Sequence, residues 1–283
     1  MDKIIKNQKS LVRRSQSKII SCLAILSLFA CNYDTDYRDA DYPDQSIYMP
    51  AAYPDGQFVI DDINRVIGDL PFAGNPYRYV ADEAKREFRV PLSVYRAGVN
   101  RKGAFTVNIH LYPGIVESIN EQLEEESKPR MLFVPSGKFS IVNSVEMKDG
   151  EVFAPFDLVI DLDYLIDNAP DEIVALGLEI SSAQRIVNPD LSKVAVMINT
   201  KFVKPTANFE FTPDPGYGRI VYFRNTSIMA KSYQWDFGDG TPLSDEASPV
   251  HFFAMNGAYT VKLTATGYLG AVDVKTLTID VSE

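Results

Sequence analysis

Three residue types that usually carry chemistry are scarce in this chain. Its 283 residues hold two cysteines, two histidines and one tryptophan. Cys22 and Cys31 form no CxxC pair, and His110 and His251 are isolated from each other. Cysteine-based redox or zinc sites and a His-rich zinc spacing are therefore excluded. Each histidine falls in a strand-like pattern with no GxSxG elbow nearby, which argues against a Ser–His nucleophile. Positive charge is also short, since 28 Lys and Arg face 38 Asp and Glu for a net charge of -10. Such a field repels the phosphates of nucleic acid and anionic head groups. No cofactor and no nucleic acid partner are expected. Apolar material is plentiful at 46% of residues, enough for one large or two modest cores.

Most of the positive charge that concentrates anywhere does so at the start. Lys3, Lys6, Lys9, Arg13, Arg14 and Lys18 precede the apolar run "IISCLAILSLFA", which is too short for a permanent membrane helix. The run closes in "LFAC", Leu28 to Cys31, a pattern that resembles a bacterial lipobox. Residues 1–30 are therefore expected to be a lipoprotein signal peptide, with Cys31 the lipidated residue; the alternative is an ordinary cleaved peptide or anchor helix. Two or three acyl chains would anchor the chain stably where one would not. Loss of the peptide, with six positive residues and Asp2, takes the formal charge from -10 to -15. The following "NYDTDYRDADYPDQ" is rich in Asp and Tyr and nearly free of aliphatic residues. It reads as a tether over residues 31–45, unable to bury enough surface to fold alone. Acidic residues behind a lipidated cysteine resemble the signal that sends Bacteroidetes lipoproteins to the outer face of the outer membrane.

Beyond Ser46 the pattern has period two, the mark of strands with one buried face. In "REFRVPLSVYR" Phe88, Val90, Leu92 and Val94 share a side, and Pro91 points to an edge strand or bulge. In "AFTVNIHLY" Phe105, Val107, Ile109 and Leu111 are expected to point inward. "GIVESINEQLEEESK" is the one helix, with Ile115, Ile119 and Leu123 as its apolar stripe on one end of the sheet. "KFSIVNSVEM", "FAPFDLVIDLDYL", "EIVALGLEISS" and "SKVAVMINTKF" complete an antiparallel β-sandwich over residues 46–203. Residues 57–82 read as a long surface loop carrying "AGNPYRY". The strand pattern restarts after Val203, so the whole is expected to be all-β, two sandwiches in tandem, the second over 204–283. In its last strand Val272 and Val274 differ in parity from Leu277, Ile279 and Val281, which suggests a bulge near Lys275-Thr276.

The second segment carries a specific set of motifs. Asn225-Thr226-Ser227, "WDFGDG", "SPVHFF" and "NGAYTVKLTATG" are similar in order and spacing to a PKD (polycystic kidney disease) domain across residues 205–283. The resemblance implies an Ig-like sandwich that serves as an extracellular spacer or interaction module and does no catalysis. "QSIYMPAA" and "FRVPLSVYRAG" resemble the domain of unknown function 1735 found in Bacteroidetes surface lipoproteins. That resemblance implies polysaccharide capture beside an outer-membrane transporter.

Candidate chemistry is sparse. A glycosidase needs two carboxylates flanking a cleft at about 5 Å or at about 6.5–9.5 Å, and close pairs such as Asp161 and Asp163 read instead as solvated strand residues opposite Leu158, Ile160 and Leu162. Asp236 and Asp239 lie in a Gly-rich turn; they read as carboxylates that accept backbone N–H groups, with calcium the rarer alternative and no other metal site expected. Trp235 and Phe237 are expected in the core, with Gly238 and Gly240 at positive φ. His251 is expected to make a structural hydrogen bond. His110 shares its outward strand face with Thr106, Asn108 and Tyr112, and Tyr95 stands on the outward face of the preceding strand. Aromatic rings stack on the apolar faces of sugars while amides and imidazoles bond to hydroxyls. Tyr95, Asn108, His110 and Tyr112 are therefore glycan-binding candidates, together with Tyr77 and Tyr79 of the "NPYRY" loop. The expectation is a non-catalytic, lipid-anchored accessory protein of a polysaccharide utilisation system; the alternative is an adhesin-like scaffold for surface protein partners.

Overall fold

The period-two segments of the first half fold into two facing sheets. A computed structural model describes residues 45–63, 78–126 and 128–282; the expected signal peptide, Cys31, the expected tether to residue 44 and Tyr77 lie outside the described residues. The first sheet contains β1 (Ile47–Tyr48), β3 (Val80–Asp82), β4 (Glu87–Arg96), β7 (Phe139–Ser140) and β9 (Phe153–Asp161). The second orders β2 (Gln57–Ile60), β11 (Lys193–Asn199), β10 (Ile173–Ser181), β5 (Phe105–Leu111) and β8 (Ser144–Met147), with β6 (Leu132–Phe133) beside β10. Phe88, Val90 and Val94 of β4 meet Val107 of β5, Leu178 of β10 and Val196 of β11 in one core. Each such buried apolar side chain contributes about 1.5–3 kcal/mol relative to exposure.

Several expectations change. Pro91 is not on an edge strand, because β4 lies between β9 on one side and β1 and β3 on the other. The amide of Arg96 points to Val152 and that of Ala97 to Ser46, so odd-numbered positions face the β1/β3 side. There β3 pairs with β4 only to Arg89 and β1 only from Tyr95. The missing N–H of Pro91 thus falls in the gap between two short neighbours and costs no ladder bond. "KFSIVNSVEM" is two strands rather than one: β7 pairs with β9 and β8 with β5, so the chain crosses between sheets at residues 141–143. Residues 57–82 are not all loop, since β2 and β3 lie at its two ends, and β2 joins β11 in parallel. Leu111 is half exposed at the last position of β5, where the chain turns away from the core into a helix.

"LDYLID" is likewise no strand but a short helix, α2 (Leu162–Asp167). Asp161 caps it by accepting from the amides of Asp163 and Tyr164. The first helix, α1 (Pro113–Glu125), does not sit at one end of the sheet. It covers part of the outer face of β10 and β11, where Val116 packs with Ala175, Ala195 and Met197. Asn120, also buried, exchanges two hydrogen bonds with the backbone of Met131, at 2.7 and 3.1 Å, and ties the following segment down.

The second sandwich places β12 (Phe209–Pro213), β13 (Ile220–Asn225) and β15 (Val250–Phe252) against β14 (Ala230–Asp236), β16 (Gly257–Gly267) and β17 (Val272–Val281). Trp235 is fully buried among Phe209, Phe223 and Phe237. The expected bulge near Lys275-Thr276 is absent: β17 keeps register with β16 from Val272 to Val281, and the shift occurs in β14 between Ala230 and Ser232. Val272 and Val274 simply face out, at 48% and 46% exposure. The hairpin tip between β16 and β17 reaches into the other sandwich, where Leu269 is wholly buried with the first core. Lys231 meets Glu83 at 3.4 Å beside it.

Candidate functional site

Antiparallel pairing carries side chains on one face into rows across the sheet. On the outer face of the second sheet, His110 of β5 stands opposite Glu179 of β10, which stands opposite Lys193 of β11. One row along, Ser144 of β8, Asn108 of β5 and Ser181 of β10 align in the same way. The result is a polar field of imidazole, carboxylate, ammonium, amide and hydroxyl groups on the outer face of the sheet.

The contacts within it are specific. His110 Nε2 and Ser181 Oγ share a hydrogen bond of 2.9 Å. Lys193 lies 3.6 Å from Glu179, and its ammonium sits 4.2 Å from the centre of the Tyr112 ring. Hydrogen bonding to Tyr112, reinforced by the nearby Glu179 charge, holds the lysine above its ordinary pKa. Tyr112 caps the field at the start of α1, with its amide donating to the carbonyl of Gly177 at 2.8 Å. Gly177 makes that approach possible, because a Cβ there would lie 2.1 Å from the Tyr112 carbonyl oxygen. Along β10 the helix covers the face before Gly177, over Ile173 and Ala175; after it, from Glu179 onward, the face is open.

His110, Asn108 and Tyr112 are therefore brought together as the sequence suggested. Tyr95 and Tyr79 are not. Tyr95 belongs to β4 in the opposite sheet, and its ring packs on Tyr48 at 5.2 Å. The sequence places β4 before β5 and invites a hairpin, but the two strands feed different sheets. Tyr79 is 1% exposed, stacks on Phe88 at 4.7 Å and donates to the carbonyl of Ile63, so it is a core residue. Tyr77 lies outside the described residues. Glu179, Ser181 and Lys193 were missed, although each is a polar residue at the end of an otherwise apolar run. Gly177 carried a readable signal, since a glycine inside a strand pattern often marks close backbone approach.

Two other sets of carboxylates resolve into structural roles. Asp161, the last residue of β9, caps α2 and bonds to Lys138 at 2.7 Å, while Asp163 lies in the helix and pairs with Arg86; Asp163 is thus not a strand residue, and Asp161 is tied up as a cap. The Lys138 hydrogen bond outweighs burial and holds the Asp161 carboxyl below its usual pKa. In the Gly-rich turn Asp236 accepts from the amide of Gly238, and Asp239 accepts from both the amide and hydroxyl of Thr241. The other Asp239 oxygen bonds to His251 Nε2 at 2.7 Å. The His251 ring lies flat on Phe237, 3.8 Å between centres. Burial resists ionisation of Asp239, but the Thr241 and His251 bonds prevail and lower its pKa. Gly238 and Gly240 have φ of 74° and 80°, and a Cβ on Gly238 would meet the Thr260 carbonyl oxygen at 2.4 Å. The Trp235 indole N–H donates to the carbonyl of Glu246 at 2.9 Å. Each part of "WDFGDG" thus serves the turn or the core.

That arrangement agrees with comparison to known sequences. The profile of the PKD domain family matches residues 204–281. This segment is a PKD domain. A 129-residue stretch of the chain is 33% identical to the Vibrio cholerae pre-pro-metalloprotease PrtV, covering 43% of this chain and 14% of that protein. The chain therefore spans only a small part of the curated relatives it matches. Among solved structures, the PKD1 domain of Vibrio anguillarum Epp is 38% identical, covers 28% of this chain and 94% of that chain, and has a TM-score of 0.26. A Bacteroides ovatus multidomain protein that includes DUF1735 covers 79% of this chain and 67% of its own at 11% identity, with a TM-score of 0.36.

Proposed function

We propose that this chain is a non-catalytic glycan-binding protein of the bacterial cell surface, anchored to the outer membrane through lipid on Cys31 and accessory to polysaccharide uptake. The observation that carries the reading is the open polar field bounded by Tyr112. Its groups match the donors and acceptors of sugar hydroxyls, and an aromatic side chain stands at its border. The field lies on the outer face of a sheet, which suits a polymer that lies across it rather than a small substrate enclosed in a cleft.

Two features support a binding role over hydrolysis. A glycosidase requires one carboxylic acid whose pKa is raised so that it can protonate the leaving group. Hydrogen bonds hold the carboxyls of Asp82, Asp161, Asp214 and Asp239 below their usual pKa, the opposite of what a general acid needs. The Ser181–His110 bond has the length of a nucleophile–base pair, but Glu179, next in that row, pairs with Lys193.

The test is retardation of the full chain in gels containing a panel of plant and host polysaccharides, followed by calorimetry on any hit. At least one polysaccharide should bind, and His110→Ala or Tyr112→Ala should weaken it roughly tenfold, as expected from the loss of one stacking or hydrogen-bonding anchor. A folded protein that binds nothing in a broad panel, yet draws a specific surface protein from its native membrane, would replace this reading with the scaffold alternative.

A further inference from the structure

The outer faces of the two sheets of the PKD domain differ in character. On β14–β16–β17 the rows are mostly polar, Gln234–Thr264 and Asp236–Lys262–Thr276 among them, with valines confined to the β17 edge. On β12–β13–β15 the outward positions shared by β13 and β15 are apolar, while toward β12 the same face carries Thr212 opposite Tyr222 and the pair Glu210–Arg224. Tyr222 stands opposite Val250, and Ile220 opposite Phe252. Tyr222, Val250 and Phe252 are 46%, 55% and 57% exposed. The core of the domain does not include these side chains, because the inward positions of the same strands, Val221, Phe223 and His251, supply the core and the Asp239 bond.

We propose that this face is a second carbohydrate-binding surface that takes an extended, uncharged polysaccharide. The proposal rests on the glycan-binding reading and deepens it by naming a further site and a ligand class. Tyr222 and Phe252 are diagonal neighbours on adjacent strands, roughly 7–8 Å apart, a spacing that lets linked sugar rings stack on both. Both rings are held in place before a ligand arrives. The Tyr222 hydroxyl donates to Asp214 Oδ2 at 3.2 Å, and the Arg219 guanidinium lies 5.5 Å from the centre of the Phe252 ring while donating to the carbonyl of Ala254. Such preorganisation reduces the entropy lost on binding. Asp214 and Arg219 also place hydrogen-bonding groups at the rim for sugar hydroxyls.

Size and charge select this occupant. Four apolar side chains fall well short of the roughly 800 Å² per partner that a stable protein interface buries. The flanking Arg224 is already paired with Glu210, and the chain as a whole carries -10, which opposes a uronate or sulfated polymer. Two surfaces on one chain that grip the same polymer would add through effective concentration.

The test uses the full chain in affinity gels containing neutral β-glucan, xylan or mannan, with polygalacturonate as the anionic probe. Tyr222→Ala combined with Phe252→Ala should weaken binding to a neutral polymer roughly tenfold and lower the melting temperature far less than Trp235→Ala does, because both side chains are about half exposed and outside the core. Tyr222→Phe, which keeps the ring, should bind nearly as well as wild type, and added salt should have little effect. If the double variant binds like wild type while Tyr112→Ala does not, this site is wrong and the general reading stands. Retention by polygalacturonate alone, or capture of a protein through Tyr222 and Phe252 without any polysaccharide, overturns the proposal. Failure of wild type to bind any polymer overturns both readings together.

Discussion

Replacing Leu269 by alanine should loosen the first sandwich rather than the PKD domain to which the residue belongs in sequence. Leu269 is 0% exposed and lies in the cluster with Phe202, Val203 and the β4–β9 core. Truncating a buried leucine costs about 2–5 kcal/mol, depending on how far the site collapses. For a unit of this size each kcal/mol lowers the melting temperature by about 2–4 °C, so the expected drop is roughly 5–15 °C. The neighbouring Lys231–Glu83 pair is 40% and 48% exposed and contributes only about 0–1 kcal/mol; Glu83→Ala should be nearly silent. The single tryptophan makes the assay selective. Trp235 lies inside the PKD core, so its fluorescence follows that domain, whereas far-ultraviolet ellipticity follows both. In Leu269→Ala the ellipticity transition should begin well below the fluorescence transition. Leu263→Ala, which empties the PKD core itself, should do the reverse. Early loss of the Trp235 signal in Leu269→Ala, with the remaining structure intact, would refute the docking of the hairpin tip into the first core.

Gly177→Ala places a methyl 2.1 Å from the Tyr112 carbonyl oxygen; it should cost at least about 1–3 kcal/mol and displace the start of α1, visible as a lower melting temperature and weaker glycan retention together. Tyr79→Ala should destabilise by about 3–5 kcal/mol; a variant that melted like wild type but lost glycan binding would return Tyr79 to the surface. Asp239 supplies a pH dependence. Its folded pKa lies below the unfolded value of about 3.9, so its stabilising effect is fully present above that unfolded value and is lost as pH falls through the folded one. The gap in stability between wild type and Asp239→Asn, followed by Trp235 fluorescence, should therefore close on acidification; a gap that widened would reverse the sign. Trp235→Ala should cost about 3–5 kcal/mol and leave the polar field around His110 untouched in binding assays.

Much of the fold was written locally. Alternation in β4 correctly placed Phe88, Val90, Leu92 and Val94 in the core, although Ser93 between the last two is buried as well, because side-chain direction in a strand has period two whatever the partner. The failures came where the environment changes along one strand. "IVALGL" and "KVAVMI" are apolar on both parities because α1 covers the outer face of β10 and β11, and the open site begins where that cover stops. The same runs held the clue, since continuous apolar strands imply burial on both faces.

The PKD turn depended on short-range chemistry, namely glycines at positive φ, carboxylates within two residues of the amides they bind, and rings two apart on one face. These are properties of the chain itself, and the sequence alone determined them. Which strands face which depended on contacts between residues far apart in the chain. Only the tertiary structure decided that Tyr95 and His110 lie in opposite sheets, that Tyr79 is core, that Glu179 and Lys193 complete the row with His110, and that Leu269 fills the neighbouring core. The reason is that a strand pattern fixes two faces but leaves the partner of each to be settled by burial of the whole.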